Sequence, residues 1–124
     1  MINGFETETA PLNDYELTTL LPVIVEGLKT KVGKDRATKG GYICDVLKGL
    51  GLKINPPRLR KVISHIRSHG LVRRLIATNS GYYIATTDAE LGSYVESLNQ
   101  RIQAIEVIRD CAQAELNLSK HGTI

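Results

Sequence analysis

The chain has 124 residues, 42% of them hydrophobic and 23% charged. That is the size and balance of one globular domain with at most an arm or an extra helix, and it excludes two separate cores. The formal charge of +3 conceals a partition: residues 1–27 carry five acids and no base, 28–80 carry 13 Lys/Arg against Asp35 and Asp45, and 81–124 carry three bases against six acids.

The basic middle segment predicts attraction to a polyanion through Coulomb attraction and counterion release. Cys44 and Cys111 are too few for a disulfide framework, and neither belongs to a zinc-spaced pair. The longest apolar run, 20–25, is interrupted by Pro22, so neither a membrane span nor a signal peptide is expected. The expected location is the reducing cytoplasm.

Residues 1–12 show no periodicity and predict a loose arm. Leu17, Leu20, Leu21, Ile24, Val25 and Leu28 recur at helical spacing, so a helix is expected from Asn13 or Asp14, with Asp14 as candidate cap. Pro22 either kinks this helix or opens a second piece of it.

The stretch 29–41 combines Gly33, Gly40 and Gly41 with five bases and predicts a basic loop. Gly33-Lys34 is followed by Asp35 and lacks the earlier glycine of a Walker loop, so nucleotide hydrolysis is not expected. Tyr42, Ile43, Val46, Leu47 and Leu50 predict a short amphipathic helix that Gly49 and Gly51 can end.

Asn55-Pro56-Pro57 is a cap followed by proline in a first helical turn. The helix expected from 56 buries Leu59, Val62, Ile63 and Ile66 and is closed by Gly70. Residues 71–78 and 82–85 predict a β-hairpin turning at 78–81, with one of Tyr82 and Tyr83 packed on the core. Thr87 to Glu90 has the form of a capping box. From there Leu91, Tyr94/Val95, Leu98, Ile102, Ile105, Ile108, Ala112 and Leu116 run at three- and four-residue steps along one long helix.

The order helix, helix, turn, helix, hairpin is that of a winged helix-turn-helix. Residues 57–72 resemble a recognition helix running into a wing, and 81–87 resemble the wing's return strand entering a capped helix. In this the chain is similar to small winged-helix DNA-binding proteins of phages and bacterial mobile elements, over about residues 14–119. The resemblance implies duplex DNA binding and a mainly α fold with a small β-hairpin and a long C-terminal helix. The expected organisation is an arm at 1–12, the winged-helix domain at 13–86, the long helix at 87–119 and a tail at 120–124.

A groove-binding helix needs donors on its solvent face. Arg58, Lys61, Ser64, His65 and Ser68 point away from the apolar stripe, and Arg58, Lys61, Ser64 and His65 are the expected base readers. Arg60 and Arg67 flank that stripe, to hold phosphates or else to pair with acids and brace the fold. Lys34, Lys39, Lys53, Arg73 and Arg74 are expected phosphate contacts, and Asn79 and Ser80 form the wing tip.

His65 and His69 lack further ligands for a metal. Cys44 and Cys111 are expected to be small buried residues. No catalytic constellation or cofactor loop accompanies them, so no cofactor and no enzyme activity is expected. The long helix favours a homodimer, which suits two half-sites about 34 Å apart. The expected function is double-stranded DNA binding in transcriptional regulation or as a phage or mobile-element factor. The alternative is a winged-helix protein interaction module in a replication or assembly complex.

Overall fold

The computed structural model describes residues 10–120. The first nine residues of the expected arm and residues 121–124 of the expected tail lie outside them. The chain divides into two compact units, Met1–Thr87 and Asp88–Ile124.

The first helix starts with a reciprocal cap. Asn13 Oδ1 accepts the Glu16 N–H at 2.8 Å while Glu16 Oε1 accepts the Asn13 N–H at 2.9 Å, so the cap is Asn13 rather than Asp14. Leu12, at the end of the expected arm, is anchored in the core at 9% exposure. Glu16–Leu20 is wound as a π-helix whose last turn is closed by the Leu21 N–H on the Glu16 carbonyl. The α register resumes as α1, Leu21–Lys29. Pro22 therefore lies in the first turn of a new piece of a continuous helix, where its missing N–H costs little.

Helix α2 is Gly40–Gly49, and the chain leaves it through Gly51 at φ +82°. Helix α3 is Pro56–His69. Asn55 Oδ1 caps it by accepting the Arg58 N–H at 2.9 Å, and Gly70 at φ +63° ends it. Its stripe of Leu59, Val62, Ile63 and Ile66 is at most 2% exposed, each side chain contributing about 1.5–3 kcal/mol by burial. Leu20, Ile24 and Leu28 from the first helix and Cys44 and Leu47 from α2 complete the centre of the core.

Strands β1 (Leu75–Thr78) and β2 (Gly81–Ile84) form an antiparallel hairpin that pairs Leu75 with Ile84 and Thr78 with Gly81. Tyr83 is buried and Tyr82 half-buried. The outer edge of β2 is also covered, because the segment expected as a simple loop pairs with it at Val32 and at Thr38. Thr38 and Tyr82 exchange two backbone hydrogen bonds at 2.9 and 3.0 Å, and the Gly33 N–H donates to the Ile84 carbonyl at 2.9 Å. Between these clamps Lys34–Arg36 makes a single 3-10 turn.

The second unit is α4, Asp88–Lys120, a helix of 33 residues, or about 50 Å at 1.5 Å per residue. Every residue from Asn99 to Lys120 is exposed.

Candidate nucleic-acid interface

Helix α3 is held by a buried acid that sequence periodicity did not indicate. Glu16 is 2% exposed. Its Oε1 accepts from Lys61 Nζ at 2.8 Å and its Oε2 from Arg58 Nε at 3.2 Å. Burial alone would raise the Glu16 carboxyl. Hydrogen bonds from Lys61, the Asn13 N–H and Arg58, together with the Lys61 charge, outweigh it and hold the group below its ordinary value. The Arg58 guanidinium also stacks 5.3 Å from the Tyr15 ring centroid. The Tyr15 hydroxyl donates to the Lys53 carbonyl and accepts the Lys53 N–H, both at 2.9 Å. Two of the four expected base readers, Arg58 and Lys61, are thus turned to an internal carboxylate.

The other two border a groove of about 500 Å³ formed by Ala10, Pro11, Leu12 and Leu17 against Ser64, His65, Ser68 and His69. The segment leading into the first helix therefore runs alongside this side of α3. His65 and His69 stack with ring centroids 4.1 Å apart. Burial and the neighbouring His69 lower the His65 pKa from its ordinary value. Ser68 Oγ and His69 Nδ1 both donate to the His65 carbonyl, at 3.2 and 2.9 Å.

Within α3, Arg60 and Arg67 are exposed on the flank of the stripe, and Ser68 and His69 are exposed in the last turn. The buried Cys44 thiol on α2 is pushed up chiefly by its burial. Lys53 is exposed in the turn ahead of α3, Lys34 is exposed in the clamped 3-10 turn, and Lys39 is exposed at the cap of α2. Arg73 and Arg74 precede β1 rather than lying on it. Arg73 is exposed. Arg74 is half-buried at φ +62°, and its Nε donates to the Ala85 carbonyl at 3.2 Å, which makes it a brace of the hairpin's base. Asn79 and Ser80 alone form the exposed tip, so the wing is short.

Nine of the 13 bases between residues 28 and 80 are exposed, Arg36 and Lys48 among them, although neither was singled out by pattern. Also unmarked in the sequence is an apolar groove of about 220 Å³ between α1 and α2, lined by residues that include Val23, Tyr42, Val46 and Leu50. Cys44 is buried, but Cys111 is exposed, against expectation, and both thiols are free. Among the described residues no helix is long and apolar enough to cross a membrane, and no three His, Cys, Asp or Glu side chains are grouped to hold a metal.

Three helices, an antiparallel hairpin in the position of a wing and a long C-terminal helix define a mainly α fold of winged helix-turn-helix type. Comparison of the chain with protein-family models, curated proteins and solved structures finds no match in any of the three.

Proposed function

We propose that the chain is a winged-helix protein that binds double-stranded DNA without catalysis, as a cytoplasmic transcriptional regulator or a phage or mobile-element DNA-binding factor. The observation that carries this reading is the set of nine exposed bases on the helix-turn-helix and its flanking loop, in a segment whose only acids are Asp35 and Asp45. Such a surface gains free energy from a polyanion by releasing its counterions.

Within the reading, the exposed flank of α3 makes Arg60 and Arg67 the leading groove contacts, with Ser64 beside them. Arg58 and Lys61 mainly fix the helix through Glu16. Lys34, Arg36, Lys39, Lys53 and Arg73 hold phosphates. A second copy, joined through α4, supplies the two-fold arrangement that spaced half-sites require.

The test is fluorescence anisotropy on a labelled random-sequence duplex, titrated in salt. The expected log–log slope is about −4 to −8, at about −0.9 per phosphate contacted. Arg60→Glu combined with Arg67→Glu should abolish binding at physiological salt. No binding by the parent chain at low salt would refute the reading and turn attention to the groove between α1 and α2 as a protein-docking surface.

A further inference from the structure

We propose that α4 pairs with α4 of a second copy as a parallel, in-register, two-stranded coiled coil. The proposal rests on the dimer reading above and adds its orientation, its register and the residues that set them.

A single helix in water draws most of its stability from packing an apolar face, yet the last 22 residues of this one are all exposed. Ile102, Ile105 and Leu116 are 53%, 63% and 49% exposed. Val95, Leu98, Ile102, Ile105, Arg109, Ala112 and Leu116 recur at alternating four- and three-residue steps, which keep one seam of a supercoiled pair facing its partner. In heptad terms Val95, Ile102, Arg109 and Leu116 are the a positions, and Leu98, Ile105 and Ala112 the d positions. Val95 and Ile102 at a with Leu98 at d follow the pattern that favours two parallel strands, whereas Ile at both a and d, as at Ile102 and Ile105, occurs in larger assemblies, so the mass in solution decides the strand number.

The flanking charges make an independent argument for the orientation. Parallel pairing sets each g residue against the e residue of the next heptad on the other strand. That places Arg101 against Glu106 of the second copy and Glu115 against Lys120 of the second copy, and the symmetry of the pair repeats both contacts. These are the only charged residues at g and e in this stretch, and both pairs have opposite signs. In the antiparallel arrangement centred on Ile102 and Ile105, g faces g and e faces e. Arg101 then meets Ile108 and Glu106 meets Asn99, and no opposite charges meet. Arg109 at a, where the two copies face each other, weakens the pair and discourages slippage, as buried polar residues at this position do. Val107 and Leu118 lie off the seam and stay exposed.

Only Thr86 and Thr87 connect β2's exit at Ala85 to α4, so parallel pairing brings the two winged-helix units to the same end of the coil.

The experiment uses the full chain, free of DNA, with Cys111→Ser to remove the exposed thiol. Light scattering at micromolar concentration should give the dimer mass, and Ile105→Lys should weaken association by at least about 100-fold. Added to that background, Ile105→Cys and Ile102→Cys should each cross-link to itself on mild oxidation, and the exposed-position control Val107→Cys should not. Arg101→Glu should weaken the dimer, and adding Glu106→Arg should restore it. Monomer mass in the parent chain, a larger assembly, or cross-linking only in mixtures of the Ile102→Cys and Ile105→Cys chains would overturn the proposal. Because these measurements contain no DNA, their failure is distinct from failure of the DNA reading, which the anisotropy titration tests separately.

Discussion

Glu16→Gln preserves the shape of the side chain and its half of the cap with Asn13 while removing the charge that faces Arg58 and Lys61. The wild-type carboxylate is 2% exposed and accepts charge-assisted hydrogen bonds at 2.8 and 3.2 Å. Removing one member of a buried ion pair costs about 3–5 kcal/mol. Here glutamine can keep an acceptor for Lys61 and the Asn13 N–H but sets an NH2 against the Arg58 donor, and the Arg58 side chain is 31% exposed, so it can turn to water, which sets the expectation at about 2–3 kcal/mol. For a unit of this size that is a fall in Tm of about 10–20 °C. The acid dependence gives a second readout. The folded-state pKa of Glu16 lies below its ordinary 4.5. Its stabilisation is therefore complete above that ordinary value and is lost as pH falls through the folded-state value. Glu16→Gln should flatten the acid limb of a plot of Tm against pH. A Tm change under about 2 °C with an unaltered acid limb would refute the structural role given to this carboxylate. Under the DNA reading the same variant frees two cations, so its salt slope should steepen by about one to two units.

Gly81 stands at φ +116°, and a Cβ there would lie 2.5 Å from the Thr38 carbonyl oxygen and 2.7 Å from the Lys39 nitrogen. Gly81→Ala should cost about 2–4 kcal/mol by chemical denaturation, and a loss below about 0.5 kcal/mol would show that the clamp yields. The His65 pKa is lowered in the fold, so its contribution to stability is full above the ordinary value of 6.5 and is lost as pH falls below it. His65→Gln should therefore reduce the loss of Tm between about pH 7 and pH 5, and an unchanged loss would remove His65 as its source. Arg109→Ile replaces the polar a residue of the proposed coil and should tighten the dimer by about tenfold or more in sedimentation equilibrium. An unchanged or weaker dimer would show that Arg109 is not on the seam.

The elements that local chemistry punctuates were legible in the sequence. Asn55-Pro56, Gly70 and the turn between Thr78 and Gly81 delimit α3 and the hairpin, because caps, αL glycines and tight turns are decided by a few neighbouring residues. Three features were not legible. The π-helical turn ahead of Pro22 turns Leu17 outward and Glu16 inward, and an α-helical reading of the apolar spacing cannot show that shift. The pairing of Val32 and Thr38 with β2 involves single residues about 50 positions apart in the chain and has no alternation to betray it. The third is the site itself. A helical wheel places Arg58 and Lys61 away from α3's own stripe, which is correct, but it contains no information about a carboxylate 42 and 45 residues upstream. Glu16 is also an acid in a helix's first turn, a placement favourable on its own that does not point to a partner in α3.

The charge partition of the sequence thus resolves into two uses. One acid of the N-terminal segment crosses to the basic one, where it engages Arg58 and Lys61 and fixes the angle at which α3 sits. The flank bearing Arg60 and Arg67 is left facing outward. The hairpin tip offers only two residues, whereas the turn with Lys34 and Arg36 is clamped on both sides, at Gly33 and at Thr38, to β2. A clamped turn loses less conformational entropy on meeting a ligand than a free loop of the same composition. If the surface binds DNA, the preordered turn and the exposed flank of α3 should therefore carry more of the affinity than the wing. The consequence is ordered and measurable: charge reversal at Arg36 should weaken duplex binding more than Asn79→Ala, and the opposite order would place the wing at the centre of the interface.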